Sequence, residues 1–426
     1  MGCTRFAPRV ELGLGTICAL GMRGVCAFAP HASRFASVPS FTRIHAVPAT
    51  STLTQHQHTR CRAAAATMST DSAGRKKVVF LGTPDIAASS LELLVEASRQ
   101  GKGGGFDVVR AVSNPPARTG RKKVLQPSPV QALAERESIP VMTPTTARDE
   151  EFLAELEGLE PDLCITAAYG QFLPRRFLDI PKFGTLNVHP SLLPLYRGAS
   201  PVQRCLEAGE AKTGVTVAFT VLKMDAGPVV RQTVRELDGT EKAPELLQEL
   251  FLEGTAQLID CLPGVWDNTV NKIPQDDAAA VKAAKISVQE ARCCFKTTSA
   301  QTIHNKVRAF AGWPGTWAMF SWGKDGSEAS EPRKVKLITT AVGDASIEDA
   351  SGATGGREAS TPAGKRLVVL RGNALELTCA DGSVLKVLEL QPLNKNVMGA
   401  KAFANGLRGE ELSWVELEPL EEAVPA

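Results

Sequence analysis

Two side chains with catalytic chemistry stand two residues apart at the end of an apolar run. The segment "GTLNVHPSLLPLYRG" places Asn187 and His189 just before a proline-rich loop. Beyond residue 70 the chain has only one other histidine, His304, on a helix with a polar face. Side chains two apart on a strand point to the same side. An amide and an imidazole that converge in this way are suited to stabilising a developing oxyanion.

An imidazole in such a role needs a partner that orients it or balances its charge. Asp225 is the candidate, because it lies at the turn between the apolar runs "TGVTVAFTVL" and "GPVVRQTV". A second interpretation stays open, in which Asp225 only initiates the turn ahead of Gly227. The sequence thus predicts that Asn187, His189 and Asp225 form one catalytic group, provided that the fold brings them together.

Alternating strand and helix patterns should position these residues. The run "KKVVFLGTPDIAASSLELLVEAS" reads as a buried strand, a turn and a helix. Later strands are predicted at residues 107–113, 162–167 and 184–189, with helical patterns near 129–136 and 150–156. This order predicts an α/β, Rossmann-like, doubly wound and mostly parallel sheet. Ligands of such sheets bind beyond the carboxyl ends of the strands, where Asn187 and His189 lie.

The pattern changes after residue 262. Residues 263–280 are polar and alanine-rich, which predicts a linker between an N-terminal catalytic domain at 75–262 and a smaller domain at 281–420. Short strands with glycine turns predict a small C-terminal β-barrel of the OB-like kind, and these strands are expected at 335–340, 366–370, 374–379 and 384–390. A Gly/Ser-rich insertion at 341–364 has almost nothing to bury and is predicted to be a disordered loop.

Composition excludes several kinds of site. Neither G-x-G-x-x-G nor a P-loop occurs, so we expect no nucleotide cofactor. The six cysteines beyond residue 70 contain no C-x-x-C pair, and adjacent Cys293 and Cys294 are predicted to be buried fillers, so we expect no metal site and no disulfide framework. No apolar run reaches the roughly 18 residues that span a bilayer. The expectation is therefore a protein without a membrane segment.

Residues 1–70 have a different composition from the rest. They hold seven of the 48 basic residues but one of the 46 acidic residues, which leaves the remaining chain slightly acidic. Such a leader, rich in Ala, Ser, Thr and Arg, is typical of an organelle presequence. The segment "VCAFAP" resembles the A-F-A-P-like junction of bipartite plastid presequences. Import into the plastid stroma is favoured, and import into the mitochondrial matrix is the alternative.

Taken together, the motifs resemble the folate-dependent formyltransferase family. They are "VVFLGTPDIAA", "NPPARTGRKKVLQPSPVQALAE", "AAYGQFLP", "NVHPSLLPLYRGASPVQ" with "TGVTVAFTVLKMDAGPVV", and "VLELQPLNKNVMGAKAF". Their order narrows the resemblance to the methionyl-tRNA formyltransferases and covers nearly all of residues 76–409. The resemblance implies catalytic roles for Asn187, His189 and Asp225. It also implies a folate site lined by Ser191, Leu192, Leu193, Pro194, Tyr169 and Gly170.

The implied reaction moves a formyl group from 10-formyltetrahydrofolate to the α-amine of initiator methionyl-tRNA. An α-amine titrates near ~7.7, so it can attack without a strong base. Asn187 and a protonated His189 would stabilise the tetrahedral oxygen, while Asp225 would keep His189 charged and help water relay protons. The basic loop "RTGRKK" would enter the tRNA acceptor stem, with contacts expected from Arg118, Arg121, Lys122, Lys123 and, at the pocket rim, Arg197.

The barrel is expected to add a second basic surface, formed by Lys334, Lys336, Arg366, Arg371 and Lys386. One departure from the family is Cys293-Cys294-Phe295, which stands where an Ile-Asp-Trp ending is usual. Two alternatives remain open. One is a formyltransferase that acts on glycinamide ribonucleotide or a sugar amine, which would need neither the basic loop nor the barrel. The other is a non-catalytic RNA-binding protein with a Rossmann core. We expect a monomer.

Overall fold

The computed structural model describes residues 74–120, 123–323, 331–343 and 366–416. The predicted presequence at 1–70 and the part of the predicted insertion at 344–364 lie outside these ranges. The first half of the chain alternates strands with helices, in the order β1 (Lys76–Gly82), α1 (Asp85–Arg99), β2 (Phe106–Val112), β3 (Ala117–Thr119), β4 (Val124–Gln126), α2 (Pro129–Arg136), β5 (Val141–Met142), α3 (Glu150–Gly158), β6 (Leu163–Ala167), α4 (Arg175–Leu178), β7 (Thr185–His189), β8 (Arg197–Gly198), α5 (Pro201–Ala208), β9 (Lys212–Phe219), β10 (Val229–Glu236) and α6 (Ala243–Trp266).

The second half is dominated by strands. Its elements are β11 (Lys282–Ala283), α7 (Ala300–Ala309), β12 (Trp317–Gly323), β13 (Arg333–Gly343), β14 (Arg366–Leu367), β15 (Val369–Arg371), β16 (Ala374–Thr378), β17 (Val384–Pro392), β18 (Met398–Gly399), α8 (Ala400–Gly406) and β19 (Glu411–Val415). Short 3₁₀ turns occur at Asp277–Ala279 and Gln289–Ala291. All described residues belong to one compact unit, 69–426.

The seven-stranded sheet has the order β10-β9-β7-β6-β1-β2-β5. Neighbours from β7 to β5 run parallel, whereas β9 is antiparallel to both β7 and β10. The parallel strands bring the ends of β1, β6 and β7 to one edge, with Gly82 opposite Ala167 and Thr166 opposite Asn187.

Helices cover both faces of this sheet, and the alternation within each strand explains why. In β1, Val78 and Phe80 pack with α1, α2 and α6, while Val79 and Leu81 pack with α3 and α4 on the other face. All four side chains are fully buried. A strand buried on both faces reads as a continuous apolar run, which is what the sequence shows.

The C-terminal strands form an antiparallel barrel in the order β14-β19-β12-β13-β17-β16-β15, with β18 paired to β17. Its separate core contains Phe295, Phe320, Leu337 and Leu385 and is covered by α7 and α8. The predicted fold class, a Rossmann-like sheet followed by a smaller β-barrel, is confirmed. No helix in the described ranges is long and apolar enough to cross a membrane.

The segment predicted as a linker has more structure than expected. Helix α6 runs past residue 262 to Trp266, with Pro263 inside it. Ile273 then exchanges two backbone hydrogen bonds with Val229 at 2.8 and 2.9 Å. Further on, β11 pairs in parallel with β8, the short strand within the loop that follows β7. Residues 273–283, which we name the strap, are therefore hydrogen-bonded to the N-terminal, α/β half of the chain.

Candidate active site

His189 ends β7 and is held by a main-chain acceptor. Its side chain is buried, and Nε2 lies 3.0 Å from the carbonyl oxygen of Tyr196. Because a carbonyl can only accept, Nε2 must carry a hydrogen and donate it. The other ring nitrogen, Nδ1, lies 3.8 Å from Oδ1 of Asp225. Nδ1 is thus the nitrogen left for chemistry, and a hydrogen there would make the ring an imidazolium beside a carboxylate.

Asp225 is brought to the histidine by a tight turn. Its backbone has φ of +50°, a left-handed conformation that aspartate tolerates better than most residues. One carboxylate oxygen, Oδ2, accepts a hydrogen bond of 2.9 Å from the backbone N–H of Gly198, and the other oxygen faces His189. The 3.8 Å separation exceeds hydrogen-bond range, so the two side chains interact through charge.

Asn187 lies on the same face of β7 as His189. The alternating residues Leu186 and Val188 point to the opposite face, into the core that contains α1, α2 and α6. Its Oδ1 accepts a hydrogen bond of 2.8 Å from the hydroxyl of Thr166 on β6. In this arrangement Nδ2 is not used by Thr166 and remains a donor for a ligand. Asn187 is half-buried, so the amide N–H groups can reach a ligand at the sheet edge.

The loop after β7 is stiffened by a buried polar network. The hydroxyl of Thr216 donates to the carbonyl of Ser191 at 2.6 Å and accepts from the N–H of Leu193 at 3.1 Å. Gln232 donates to the carbonyl of Leu193 at 2.6 Å, and the Leu193–Pro194 peptide is cis. The hydroxyl of fully buried Ser191 donates to the carbonyl of Leu195 at 2.7 Å.

This network determines what the predicted folate residues can offer. The side chains of Ser191 and Leu193 are committed to holding the loop, with Leu193 packed against Ala218 and Val229. Leu192 is half-buried and lies close to Gly214, where a Cβ would come within 2.5 Å of its Cδ2 atom. Pro194 is half-buried. A ligand at this loop would therefore meet mostly main-chain groups.

Tyr169 and Gly170 follow β6 at the same edge of the sheet. The Tyr169 ring packs in the core under α3 and α4, where burial raises the pKa of its hydroxyl to about 12. Its hydroxyl has no hydrogen-bond partner within the described residues. The carbonyl of Tyr169 accepts hydrogen bonds from Thr83 and Asn114. Gly170 is exposed, with φ of +82°.

The position of Arg197 does not fit its predicted role, which was to contact tRNA. Only 8% of the residue is exposed, and its guanidinium is used within the chain. Nε and Nη2 donate to Oε1 of Gln275 at 3.0 and 2.7 Å, and Nη1 donates to Oδ1 of Asp277 at 2.7 Å. A charge that is buried and paired in this way is not presented to a phosphate backbone, and we assign it to the support of the site.

The basic loop forms a hairpin of β3 and β4 after β2. Arg118 and Lys123 are exposed on it, and Arg121 and Lys122 lie outside the described residues. On the barrel, Lys334 stacks over the Trp317 ring at 4.1 Å from the ring centroid. Lys336 and Lys386 are half-buried, Arg371 is exposed and pairs with Glu376 at 3.4 Å, and the Arg366 side chain lies outside the described part.

Several supporting residues were not predicted from sequence. Thr166, Thr216 and Gln232 hold Asn187 and the loop, and Gln275 and Asp277 come from the strap. None of them carries a motif by which a single sequence could single it out. Of the two cysteines predicted to be buried fillers, Cys293 is buried against the barrel core, whereas Cys294 is only half-buried, and no cysteine of the described ranges forms a disulfide.

Two protein-family models match this chain, one over the α/β half and one over the barrel. Residues 76–262 match the family model "Formyl transferase", and residues 285–408 match "Formyl transferase, C-terminal domain". Methionyl-tRNA formyltransferase of Staphylococcus epidermidis is 32% identical over 334 residues, which cover 78% of this chain and 96% of that protein. The protein of the same name from Macrococcus caseolyticus is 34% identical over 334 residues, again with 78% and 96% coverage.

A solved structure with a similar fold is that of an N-formyltransferase from Helicobacter canadensis in complex with folinic acid and dTDP-3-aminofucose. It covers 75% of this chain and all of its own, with a TM-score of 0.51 and 18% identity. At this identity the similarity concerns the fold alone.

Proposed function

This chain belongs to the methionyl-tRNA formyltransferase family, and on that premise we propose that it transfers the formyl group of 10-formyltetrahydrofolate to the α-amine of initiator methionyl-tRNA. The single observation that carries the chemistry is the approach of Asp225 to Nδ1 of His189, at 3.8 Å, on the same sheet face as Asn187. Asp225, which lies far from Asn187 and His189 along the chain, thereby joins them at the carboxyl edge of a mostly parallel sheet.

The donor would bind between the loops that follow β6 and β7. Both loops leave neighbouring parallel strands at one edge of the sheet, and each exposes an apolar side chain there: Phe172 is 49% exposed and Leu195 is 39% exposed. Such groups, next to the main-chain atoms of Ser191 to Pro194 and of Gly170, suit a flat heteroaromatic ring with polar edges.

In the reaction the uncharged amine attacks the formyl carbon, the bond from that carbon to N10 breaks, and a proton passes from the amine to N10. The carbonyl oxygen becomes negative at the tetrahedral stage. The Nδ2 hydrogens of Asn187 and a hydrogen on Nδ1 of His189 would donate to it. Because Nε2 already donates to Tyr196, His189 in this role is an imidazolium, and the Asp225 carboxylate balances its charge.

Binding of tRNA is assigned to the β3–β4 hairpin and to the barrel. Arg118 and Lys123 are exposed on the hairpin, which also carries Arg121 and Lys122 in sequence. Their charges would contact phosphates, while the hairpin tip would test how easily the end of the acceptor stem opens. The half-buried side chains of Lys334 and Lys336 would add contacts from the barrel.

We further propose that the protein works in an organelle, with the plastid stroma favoured over the mitochondrial matrix. Support comes from residues 1–70, which are rich in arginine and contain a single acid. A fusion of residues 1–70 to a fluorescent protein, imaged in cells with plastids and mitochondria, tests the choice. Retention of the fusion in the cytosol would reject both assignments.

The proposed reaction is tested by offering the purified chain 10-formyltetrahydrofolate with methionylated initiator and elongator tRNAs. We expect formylation of the initiator and much slower formylation of the elongator. Glycinamide ribonucleotide and a sugar amine serve as competing acceptors, because they represent the alternative enzyme class. Formylation of a small amine without formylation of tRNA would replace the proposal, and binding of tRNA without turnover would support the non-catalytic alternative.

A further inference from the structure

We propose that Gln275, on the strap, is a positioning residue that sets the geometry of the Asp225–His189 pair. This inference rests on the proposed function for its kinetic test. It starts from the tripeptide Tyr196–Gly198, whose main chain holds both members of the pair. The carbonyl of Tyr196 accepts from Nε2 of His189 at 3.0 Å, and the N–H of Gly198 donates to Oδ2 of Asp225 at 2.9 Å.

The side chain between these two anchors, that of Arg197, leads to the strap. Two of its nitrogens donate to Oε1 of Gln275, and a third donates to Asp277. Arg197 is buried, so a vacant acceptor at this point would leave a charged donor without a partner. Lys223, on the turn that carries Asp225, reaches the other oxygen of Asp277 at 2.5 Å.

The opposite end of the Gln275 amide holds the turn itself. Nε2 donates to the carbonyl of Asp225 at 2.9 Å and to the carbonyl of Gly227 at 2.6 Å. Asp225 is in the left-handed region, with φ of +50°, which is held only where the surroundings determine it. One amide therefore joins the backbone of the catalytic turn to the arginine of the tripeptide.

The strap is also fixed along its length. The N–H of Arg197 donates to the carbonyl of Val281 at 2.8 Å, and β8 and β11 pair in parallel. A Cβ on Gly198 would come within 2.4 Å of the carbonyl oxygen of Ala283. The pairing opposes separation of the tripeptide from the strap, and this close approach leaves no space for a side chain between them, so Gln275 is presented to the turn at a set distance.

The geometry implies that Gln275 acts through Asp225 and touches no substrate. In Gln275→Ala the turn loses both hydrogen bonds that Nε2 donates, and in Gln275→Glu an isosteric carboxylate faces two carbonyls that need a donor. For both variants we expect kcat for methionyl-tRNA to fall about 10- to 50-fold, since small displacements of catalytic groups are costly. The KM values for tRNA and folate should stay within about twofold. Asn271→Ala, an exposed change just before the strap, is the control.

A double-mutant cycle separates positioning from a general structural role. If Gln275 works through Asp225, Gln275→Ala should cost little further activity once Asp225→Asn is present. Equal loss in both backgrounds, or unchanged kcat in Gln275→Ala and Gln275→Glu, would overturn the inference. Thermal melting of each variant identifies a loss of kcat that comes from unfolding.

A second measurement does not depend on turnover. In the full chain, the imidazole ¹⁵N resonances of His189 are assigned by their absence in His189→Asn. They should move in Gln275→Ala in the same direction as in Asp225→Asn. Unmoved resonances would overturn the inference even if the wild-type protein formylates tRNA. Moved resonances in a protein without formylation activity would support the positioning role and reject the proposed function.

Discussion

Replacing Asp225 with asparagine isolates the charge of its carboxylate. Asparagine has nearly the same shape, can still accept the hydrogen bond from the N–H of Gly198, and tolerates φ of +50° about as well as aspartate does. The turn should therefore keep its backbone conformation. What is lost is the negative charge that faces Nδ1 of His189 across 3.8 Å.

The size of the effect follows from that distance. Two unit charges 3.8 Å apart interact by about 4 kcal/mol at an effective dielectric constant of ~20 and by about 2 kcal/mol at ~40. His189 is buried and Asp225 has a side-chain exposure of 17%, so this range is appropriate. Since each 1.36 kcal/mol is tenfold in rate, loss of the charge should lower kcat by roughly 40- to 1,000-fold.

Steady-state formylation of initiator methionyl-tRNA measures this change, with kcat and both KM values determined for the wild-type chain and for Asp225→Asn. Asp179→Asn removes one carboxylate from an exposed position just after α4 and serves as the matched control. Both variants should melt within a few degrees of the wild type. If Asp225→Asn keeps more than about a third of the wild-type kcat, the carboxylate does not support an imidazolium in the transition state.

Further predictions concern the other parts of the site and of the chain. Asn187→Ala should lower kcat by roughly 10² to 10³ without changing the melting temperature much, and near-normal turnover would exclude its oxyanion role. Arg121→Ala should raise KM for methionyl-tRNA and leave folate binding unchanged, and unaltered tRNA kinetics would contradict the assignment of the basic loop. Burial, with a smaller contribution from the Arg308 charge, lowers the pKa of His304. Below pH ~6.5 the unfolded chain then binds more protons, so stability should fall with falling pH in the wild type and less steeply in His304→Gln, as thermal melts can measure. A chain that lacks residues 1–67 should be soluble and active in a bacterial host, and its inactivity would mean that the leader contributes to the fold.

Two members of the proposed catalytic group, Asn187 and His189, were accessible from sequence because local patterns place them together. Strand alternation puts Asn187 and His189 on one face, and the parallel order of strands puts that face at the carboxyl edge. The partnership with Asp225 was a weaker inference, since an acid before a glycine is also an ordinary turn. The pairing depends on β9 lying beside β7, which no local pattern reveals.

The supporting contacts could not be predicted, for a physical reason. The strap is polar and alanine-rich, so it carries no hydrophobic periodicity and resembles a solvated linker. Its role depends on hydrogen bonds between residues about 50 to 80 positions apart. In the same way, the burial of Arg197 and the inward direction of the Tyr169 ring follow from tertiary packing, which reverses the exposure that their residue types suggest.

The strap also bears on how this chain can be divided. The match to the catalytic family model ends at residue 262, and a fragment cut there would retain Asn187, His189 and Asp225. It would lack both Gln275 and the strand that lies along Gly198. The smallest autonomous enzyme should therefore extend to about Ala283, and cleavage of the intact chain between Trp266 and Gln275 should slow formyl transfer itself as well as recognition of tRNA.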